Sequence, residues 1–384
     1  MKLRPLIFWP HLGAGIAAGA IVLIMSVTGV LLAYEKQMIA WADARTPIEA
    51  AGRDRLSPEA LLARVTEQTG SAPASLVLAS AERPVLAAAG ATTLLVDPYS
   101  GAVLGESAPW LRKFFRSVTD WHRWLAMSGE SRATGKWLTG WANALFLFLV
   151  LSGMYLWIPR LWSWRHVRPL IWFRRTETGK ARDFNWHHAI GIWTAIPLAL
   201  VVASAMPISF PWANALVYRI VGEAPPAPAS RLAAPAAQSA PNHTSTDAVT
   251  GLDAAAAVAV RQVDEWRTIT VRRPASANAP FVFTIDRGTA GQPQYRGTFT
   301  VARDGQVRWE PFDALTPGRR LRSFSRFLHT GEVFGIPGQT IAAIASFGAV
   351  FLVWTGTALA VRRLWAGLRR RWQSEDLGEE RPAA

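Results

Sequence analysis

Four long apolar blocks without a single charged residue constrain this chain more than any other feature. They occupy residues 12–34, 137–158, 189–218 and 334–361. A helix of roughly 20 apolar residues is long enough to cross the hydrocarbon core of a bilayer. The first block is longer than the apolar core of a cleavable signal peptide, so we expect it to be retained as a helix. The sequence therefore predicts an α-helical membrane protein with four transmembrane helices.

The basic residues indicate how these helices are oriented. The formal net charge is +14, and Lys and Arg are concentrated in the loop 159–186 and in the tail 363–384. Cytoplasmic loops carry such an excess. We therefore expect a multi-pass protein of the bacterial inner membrane with cytoplasmic N- and C-termini and exported segments at 36–136 and 219–333. The positive charge is then explained by the lipid bilayer, and no nucleic-acid partner is expected.

The two halves of the sequence follow the same plan. Each has an outgoing helix, an exported segment and a returning helix, which predicts two repeats. Gly15 lies four residues after His11, and Gly191 lies four residues after His187. Duplications of this kind place functional sites at the interface of the repeats.

Each exported segment has the pattern of a small α+β unit. In the first, Ser57 is a helix N-cap candidate and the helix should end near Gly70. Alternating apolar runs and turn signals predict strands at 75–79, 85–88, 92–96 and 102–104. In the second, the predicted helix is 251–264 and the predicted strands are 268–271, 281–285, 296–302 and 306–309. Residues 223–246 are rich in Pro, Ala and Ser and are expected to be a disordered linker.

These patterns predict eight consecutive regions. They are the start and first helix (1–36), the first periplasmic domain (37–110), a histidine motif with the second helix (111–158), the basic loop (159–186), the third helix (187–218), the linker and second periplasmic domain (219–320), a second histidine motif with the fourth helix (321–362), and the tail (363–384).

Histidines at the helix ends are the candidate metal ligands. His243 lies in the linker and His166 in the basic loop, where an interfacial role is the simpler interpretation. His11 and His187 begin outgoing helices, whereas His122 and His329 precede returning helices. A haem iron takes two axial imidazoles, which two facing helices can supply. The alternative for any single histidine is a polar cap, but matching positions in both halves favour ligation and the pairs His11–His187 and His122–His329.

Neighbouring residues extend this interpretation. His188 is one position round the helix from His187 and is interpreted as an interfacial neighbour. Arg123 and Arg116 could pair with haem propionates, and Arg322 and Arg326 occupy the equivalent region of the second half. The chain has no cysteine, which excludes covalent haem attachment and thiolate-bound clusters. No nucleotide-binding motif is visible, so the electron donor would be quinol or a separate reductase.

Four motifs resemble those of the PepSY-associated transmembrane helix family. They are the segments 121–125, 185–191 and 328–335, together with 96–105, which is similar to the end of a PepSY domain. Members include inner-membrane ferric-siderophore reductases of the FoxB type. The resemblance implies two PepSY-like periplasmic domains, two b-type haems ligated by His11, His122, His187 and His329, and reduction of chelated ferric iron with no catalytic residue separate from the haem ligands. Where relatives have His-Arg-Trp-Leu-Gly, residues 11–15 keep only the His and the Gly.

Three functions are compatible with the sequence. The first is a dihaem ferric-siderophore reductase, an oxidoreductase. The second is a non-enzymatic, membrane-anchored PepSY module that binds peptides or regulates a peptidase. The third is a transporter whose third helix is broken at Pro197, Pro207 and Pro211.

Overall fold

The computed structural model describes residues 3–48, 52–159, 161–174, 177–226, 249–289 and 291–379. His243 and most of the predicted linker, from 227 onwards, lie outside the described residues. The helices are α1 (Leu3–Leu32), α2 (Glu35–Asp43), α3 (Pro58–Thr69), α4 (Pro109–Trp124), α5 (Ser131–Trp157), α6 (Trp164–Ile171), α7 (Gly179–Ser209), α8 (Pro211–Ile220), α9 (Leu252–Gln262), α10 (Pro317–His329) and α11 (Gly335–Glu379). The strands are β1 (Ser75–Ala79), β2 (Val85–Ala89), β3 (Thr92–Val96), β4 (Val103–Glu106), β5 (Thr268–Arg272), β6 (Phe281–Asp286), β7 (Arg296–Val301) and β8 (Val307–Pro311).

Four helical segments are long and apolar enough to span a membrane, which confirms the prediction. They are Leu3–Asp43, Ser131–Trp157, Gly179–Ser209 and Glu332–Arg369. Helix α1 packs against α5 and α11, and α7 packs against the same two helices. As a result, α1 and α7 face each other across a four-helix bundle.

Small residues line the inside of the bundle. Ala18, Ala142, Ala345 and Ala349 are buried where the helices meet. In a membrane, close van der Waals packing of small side chains is a principal source of helix association, because lipid tails are as apolar as the helix surface. The large apolar side chains on the outside, such as Trp354 and Ile196, are correspondingly exposed.

The third membrane helix is not broken at its first two prolines. Helix α7 continues through Pro197 and Pro207 and ends at Ser209, and α8 begins at Pro211. Proline is tolerated inside membrane helices because neighbouring groups satisfy the freed backbone. Only Pro211 marks a helix boundary, at the first position of α8, where proline is favoured. The broken helix that the transporter interpretation invoked is therefore absent at Pro197 and Pro207.

The two segments that were predicted to be exported do not form separate sheets. The strands of the described residues belong to one antiparallel sheet in the order β4-β3-β2-β1-β5-β6-β7-β8. Strands β1 and β5 join the two halves at its centre, with Val77 opposite Thr270. The strand pattern predicted the members of each half, but it did not indicate this pairing, because alternation within a strand does not specify its neighbour.

Helices α3 and α9 pack together over the apolar core of the sheet, which includes Leu76, Phe283 and Phe299. The predicted cap of α3 is confirmed, since the Ser57 hydroxyl accepts a hydrogen bond from the Ala60 amide at 3.3 Å. Gly70 ends the helix in the left-handed region, with φ of 72°.

The sheet lies against one end of the bundle. Gln294 Nε2 donates to the Val333 carbonyl at 3.0 Å. The Arg296 guanidinium lies 5.7 Å from the centre of the Phe327 ring. Both partners are close to His329 in the chain, so the sheet packs near that histidine. We call this the sheet end of the bundle and the opposite end, with α6, the loop end.

Candidate cofactor site

The four predicted ligand histidines lie two at each end of the bundle. His11 is in α1 and His187 in α7, both at the loop end. His122 is in the last turn of α4 and His329 is the final residue of α10, both at the sheet end. Helices α4 and α10 are short and amphipathic, and they pack on α1 and α7 respectively.

The structure brings the sheet-end pair together. The ring centroids of His122 and His329 are 6.3 Å apart, with an angle of 46° between the ring planes. A metal ion bonded to one nitrogen of each imidazole at about 2 Å would separate two ring centres by about 6 Å. The spacing therefore fits one iron atom held between the two rings.

The loop-end pair is arranged across the bundle. His11 and His187 project from the two helices that face each other, α1 and α7. The His187 ring lies beside that of His188, with centroids 6.3 Å apart. The structure thus places His11 and His187 at one level of the bundle without direct ring contact.

Three of the four histidines are held by a hydroxyl group on a neighbouring helix. His11 Nδ1 lies 2.8 Å from Ser152 Oγ, His122 Nδ1 lies 2.9 Å from Thr28 Oγ1, and His187 Nδ1 lies 2.9 Å from Thr355 Oγ1. Each hydroxyl donates its own proton to the carbonyl four residues earlier in its helix, at 2.6 to 2.7 Å. Because that proton is used, the hydroxyl oxygen accepts the bond from Nδ1.

The fourth histidine has the same protonation for a simpler reason. His329 Nδ1 lies 2.9 Å from the Val201 carbonyl, which can only accept. All four rings therefore carry their proton on Nδ1 and have a lone pair on Nε2. The bonds that join these rings to Ser152, Thr28, Thr355 and Val201 all run through Nδ1, which leaves Nε2 available. An acceptor that fixes Nδ1–H in this way is the usual partner of a metal-ligating histidine.

Glycines make room for the rings. A Cβ atom on Gly153 would lie 3.4 Å from His11 Cε1, and one on Gly356 would lie 3.2 Å from His187 Cε1. At Gly29 the corresponding distance, to His122 Cε1, is 3.6 Å. Each of these glycines follows the hydroxyl residue that holds the same ring. A hydroxyl–glycine pair in one helix thus forms the seat for a histidine of another.

Two of the three hydroxyl–glycine pairs can be recognised from the sequence. Ser152-Gly153 and Thr355-Gly356 are visible as matching pairs late in the returning helices. Thr28-Gly29 was not predicted from the sequence. Its signal is a hydroxyl residue at the same spacing from the first histidine of each half, since Thr28 follows His11 as Ser204 follows His187. The Ser204 hydroxyl shares the Val201 carbonyl with His329.

Burial keeps the sheet-end histidines neutral. Desolvation, and next the neighbouring His329, lowers the pKa of His122 to about 4. Desolvation also lowers the pKa of His329. Each side chain still retains part of its accessible surface. Neutral imidazole is the form that binds a metal, so both rings are in the ligating state at neutral pH.

Arg123 lies in a group of cations beside the sheet-end pair. Its guanidinium is 4.5 Å from the Trp124 ring centre, and that of Arg132 is 3.5 Å from the same ring. Partial burial, followed by Arg326 and Arg132, lowers the pKa of Arg123. No carboxylate among the described residues forms a salt bridge with Arg123. This arrangement suits an anionic group such as a propionate.

The remaining described histidines differ from these four. His166 is exposed and its Nδ1 lies 2.6 Å from Ser163 Oγ, a residue of its own helix start. His188 Nδ1 donates to the Phe184 carbonyl at 2.9 Å, within the same helix. Neither is joined to another membrane helix by its ring nitrogen, so both interpretations as interfacial residues are compatible with the structure.

The donor set fits a cofactor that brings most of its own ligands. Among the described residues there is no cluster of three or more His, Cys, Asp or Glu side chains that could hold a metal ion. Two imidazoles alone hold iron weakly, whereas a porphyrin supplies the other four nitrogens and leaves two axial positions. Paired histidines with free Nε2 atoms match that requirement.

Comparison with known proteins identifies one family. A family model described as the PepSY-associated TM region matches residues 8–363, which is nearly the whole chain. No curated protein matches the chain.

Proposed function

Because the chain belongs to the PepSY-associated transmembrane family, we propose that it is a membrane electron-transfer protein that binds two b-type haems and reduces ferric siderophores or similar chelates. His11 and His187 would hold one haem, and His122 and His329 the other. The observation that carries this proposal is the common state of the four rings. Each has Nδ1–H bonded to another helix and Nε2 free.

Haem, when bound, supplies a one-electron couple. The protein residues would hold the haem, orient its ligands and exclude water from the bundle. The hydroxyl and carbonyl acceptors hold each imidazole in one tautomer and increase the basicity of Nε2. Arg123 and its neighbouring cations would bind the propionates at the sheet end. Ala18, Ala142 and the other small residues exclude water from the bundle between the two ends.

The two proposed sites would form a path across the bilayer. His11 and Thr28 lie in the same helix, and at 1.5 Å per residue their levels differ by about 25 Å. That is most of the thickness of the hydrocarbon core. We assign the loop end to the cytoplasm from its basic residues and the sheet end to the periplasm of the inner membrane. The chain is then two repeats, each contributing one histidine to each site.

Ferric chelates are proposed as the acceptor. Reduction to ferrous iron weakens binding by hard oxygen donors and so releases the metal. The reaction is a one-electron transfer and requires no general acid or base, and no paired catalytic carboxylates are proposed. The resemblance of the sequence motifs to those of ferric-siderophore reductases supports this choice of acceptor.

An absorption spectrum of the purified protein tests the haem proposal. We expect a Soret band, sharp α and β bands after dithionite reduction, and two haems per chain. His122→Ala and His187→Ala should each remove one haem. His166→Ala is the matched control and should retain both. A colourless preparation would refute the proposal.

Reduction of the substrate needs a separate measurement. The dithionite-reduced protein should be reoxidised by a ferric hydroxamate, with ferrous iron trapped by a chromogenic chelator. His122→Ala should abolish this transfer and His166→Ala should not. If the haem stays reduced in the presence of the chelate, the ferric chelate is refuted as the acceptor. The proposal that the protein transfers electrons then still stands.

The peptide-binding alternative has one structural observation in its favour. Strands β4 and β8 are the edges of the sheet, and an extended peptide can add to an exposed edge. That function predicts a haem-free protein in which the four histidines tolerate substitution. The same spectrum therefore distinguishes the two functions.

A further inference from the structure

A cavity of about 460 Å³, open to its surroundings over much of its boundary, lies at the loop end, between α6 and the start of α7. Apolar groups of Pro169, Leu170 and Phe184 form much of its wall, and Arg174 and Lys180 also line it. Glu177 is the carboxylate among the lining residues and pairs with Arg174 at 3.2 Å. The cavity thus combines an apolar interior with charged groups.

The cavity wall is held in place by Asn185. Its side-chain amide donates to the Pro169 carbonyl at 2.7 Å and to the Trp172 carbonyl at 3.0 Å. Its oxygen accepts from the Arg174 amide at 2.9 Å. Asn185 is 5% exposed and uses its donors and its acceptor in these bonds. The loop is therefore fixed on α7.

Exposed aromatic side chains place the cavity beside the lipid. Trp162, Trp164 and Trp172 are 72%, 65% and 54% exposed. Tryptophan is enriched at the interface between headgroups and acyl chains. Helix α6 is short and amphipathic and would lie in that interface. A ligand that is dissolved in the membrane can therefore reach the cavity from the side.

The cavity is also close to the loop-end histidines. Phe184 lines it, and the Phe184 ring centroid is 4.1 Å from that of His188. His188 is in turn 6.3 Å, centroid to centroid, from His187. A redox-active ring that stacks on Phe184 would be separated from His187 by two side chains, those of Phe184 and His188.

We infer that this cavity binds a membrane quinol and is the point at which electrons enter the protein. The inference rests on the proposed function for its electron acceptor. Oxidation of the quinol to quinone releases two electrons and two protons. The electrons leave one at a time and reduce two ferric chelates in succession. The protons pass to Glu177 and water on the loop side.

Leu170→Trp tests the inference because it fills the cavity. Leu161→Trp, in the same loop but 62% exposed, is the matched control. With the full-length protein in nanodiscs, decylubiquinone binding is measured by calorimetry and the reduction of haem by decylubiquinol is followed by stopped flow. We expect Leu170→Trp to weaken binding and slow reduction by at least about tenfold, with an unchanged dithionite-reduced spectrum. Leu161→Trp should behave as the wild type.

A second variant tests the same cavity in case Leu170→Trp does not fold. Phe184→Ala removes the aromatic wall and should weaken binding by up to about tenfold, while Phe173→Ala, which changes a similarly exposed ring outside the cavity lining, should not. Haem-loaded protein that does not bind decylubiquinone overturns the inference and leaves the proposed function intact. Haem-free protein with binding that Leu170→Trp abolishes supports the quinol site and refutes the proposed function. Binding that both Leu170→Trp and Phe184→Ala leave unchanged overturns the inference.

Discussion

At the scale of the residue, an imidazole can bind iron only through a nitrogen that has a lone pair. The partner of the other nitrogen therefore decides whether a histidine is ready to act as a ligand. Thr355 illustrates the point, because its hydroxyl proton is bonded to the Phe351 carbonyl and its oxygen must accept from His187. A polar cap would require no such fixed direction.

Thr355→Val removes this acceptor while retaining the side-chain shape. The His187 imidazole should become less basic, so the affinity for the loop-end haem should fall about tenfold or more and its midpoint potential should rise. A spectroscopic redox titration measures both. Thr194→Val is the control, since Thr194 is buried and its hydroxyl donates within its own helix, to the Ile190 carbonyl. Identical potentials in the two variants would contradict this role of Thr355.

The lowered pKa of His122 predicts a pH dependence in haem-free protein. Burial lowers this pKa from 6.5 to about 4. Between these values the unfolded chain binds a proton that the folded protein does not, so stability is complete above about pH 6.5 and is lost as the pH falls toward 4. The melting temperature in detergent should be lower at about pH 5 than at about pH 7.5.

His122→Gln should reduce that difference because it removes the titrating group. His166→Gln, at an exposed position, should leave it unchanged. A pH dependence that survives in His122→Gln at full size would assign it to other groups, with His329 next in line because burial lowers its pKa as well.

At the scale of the element, the glycines differ in how closely a histidine ring of another helix approaches them. A Cβ atom would lie 3.2 Å from the ring at Gly356, 3.4 Å at Gly153 and 3.6 Å at Gly29, whereas Gly13 has nothing within 4 Å. Ala favours the helix over Gly by about 1 kcal/mol at each site, so none of these changes should weaken the helices themselves.

Alanine substitutions at these four positions should therefore lower haem occupancy in the order of the distances. We expect the largest loss for Gly356→Ala, a smaller loss for Gly153→Ala, and retention in Gly29→Ala and Gly13→Ala. Haem per chain from the pyridine haemochrome spectrum gives the comparison, and helix content by circular dichroism should stay constant. Equal occupancy in all four variants would mean that the rings do not require this space.

Helices and strands could be predicted where the sequence pattern that specifies them lies within a few residues. The Ser57 cap and the eight strands follow from side chains within a few residues, and the structure confirms them with small shifts at their ends. The pairing of β1 with β5 is a contact between distant segments, so no local pattern specified it. For the same reason, the hydroxyl at position 28 is visible in the sequence, but its bond to His122, which is 94 residues away, is not.

At the scale of the whole molecule, the continuous sheet joins the two halves at one end, and each end of the bundle holds one candidate histidine from each half. The sheet contacts the bundle through Gln294 and Arg296, next to the His329 end of α10. An acceptor that binds near the sheet would thus be close to the sheet-end pair, and a donor at the α6 cavity would be close to the loop-end pair. This division has meaning only if the two ends face different compartments.

The absence of native cysteine allows that orientation to be tested directly. Ser276 is exposed at the sheet and Lys180 is exposed at the loop end, so a single cysteine at either should not disturb the fold. We expect Ser276→Cys to react with a membrane-impermeant maleimide in intact cells, and Lys180→Cys to react only after the inner membrane is opened. The wild type is the unlabelled control. The opposite pattern would place the sheet in the cytoplasm, and reduction of an exported chelate at the sheet end would then be impossible.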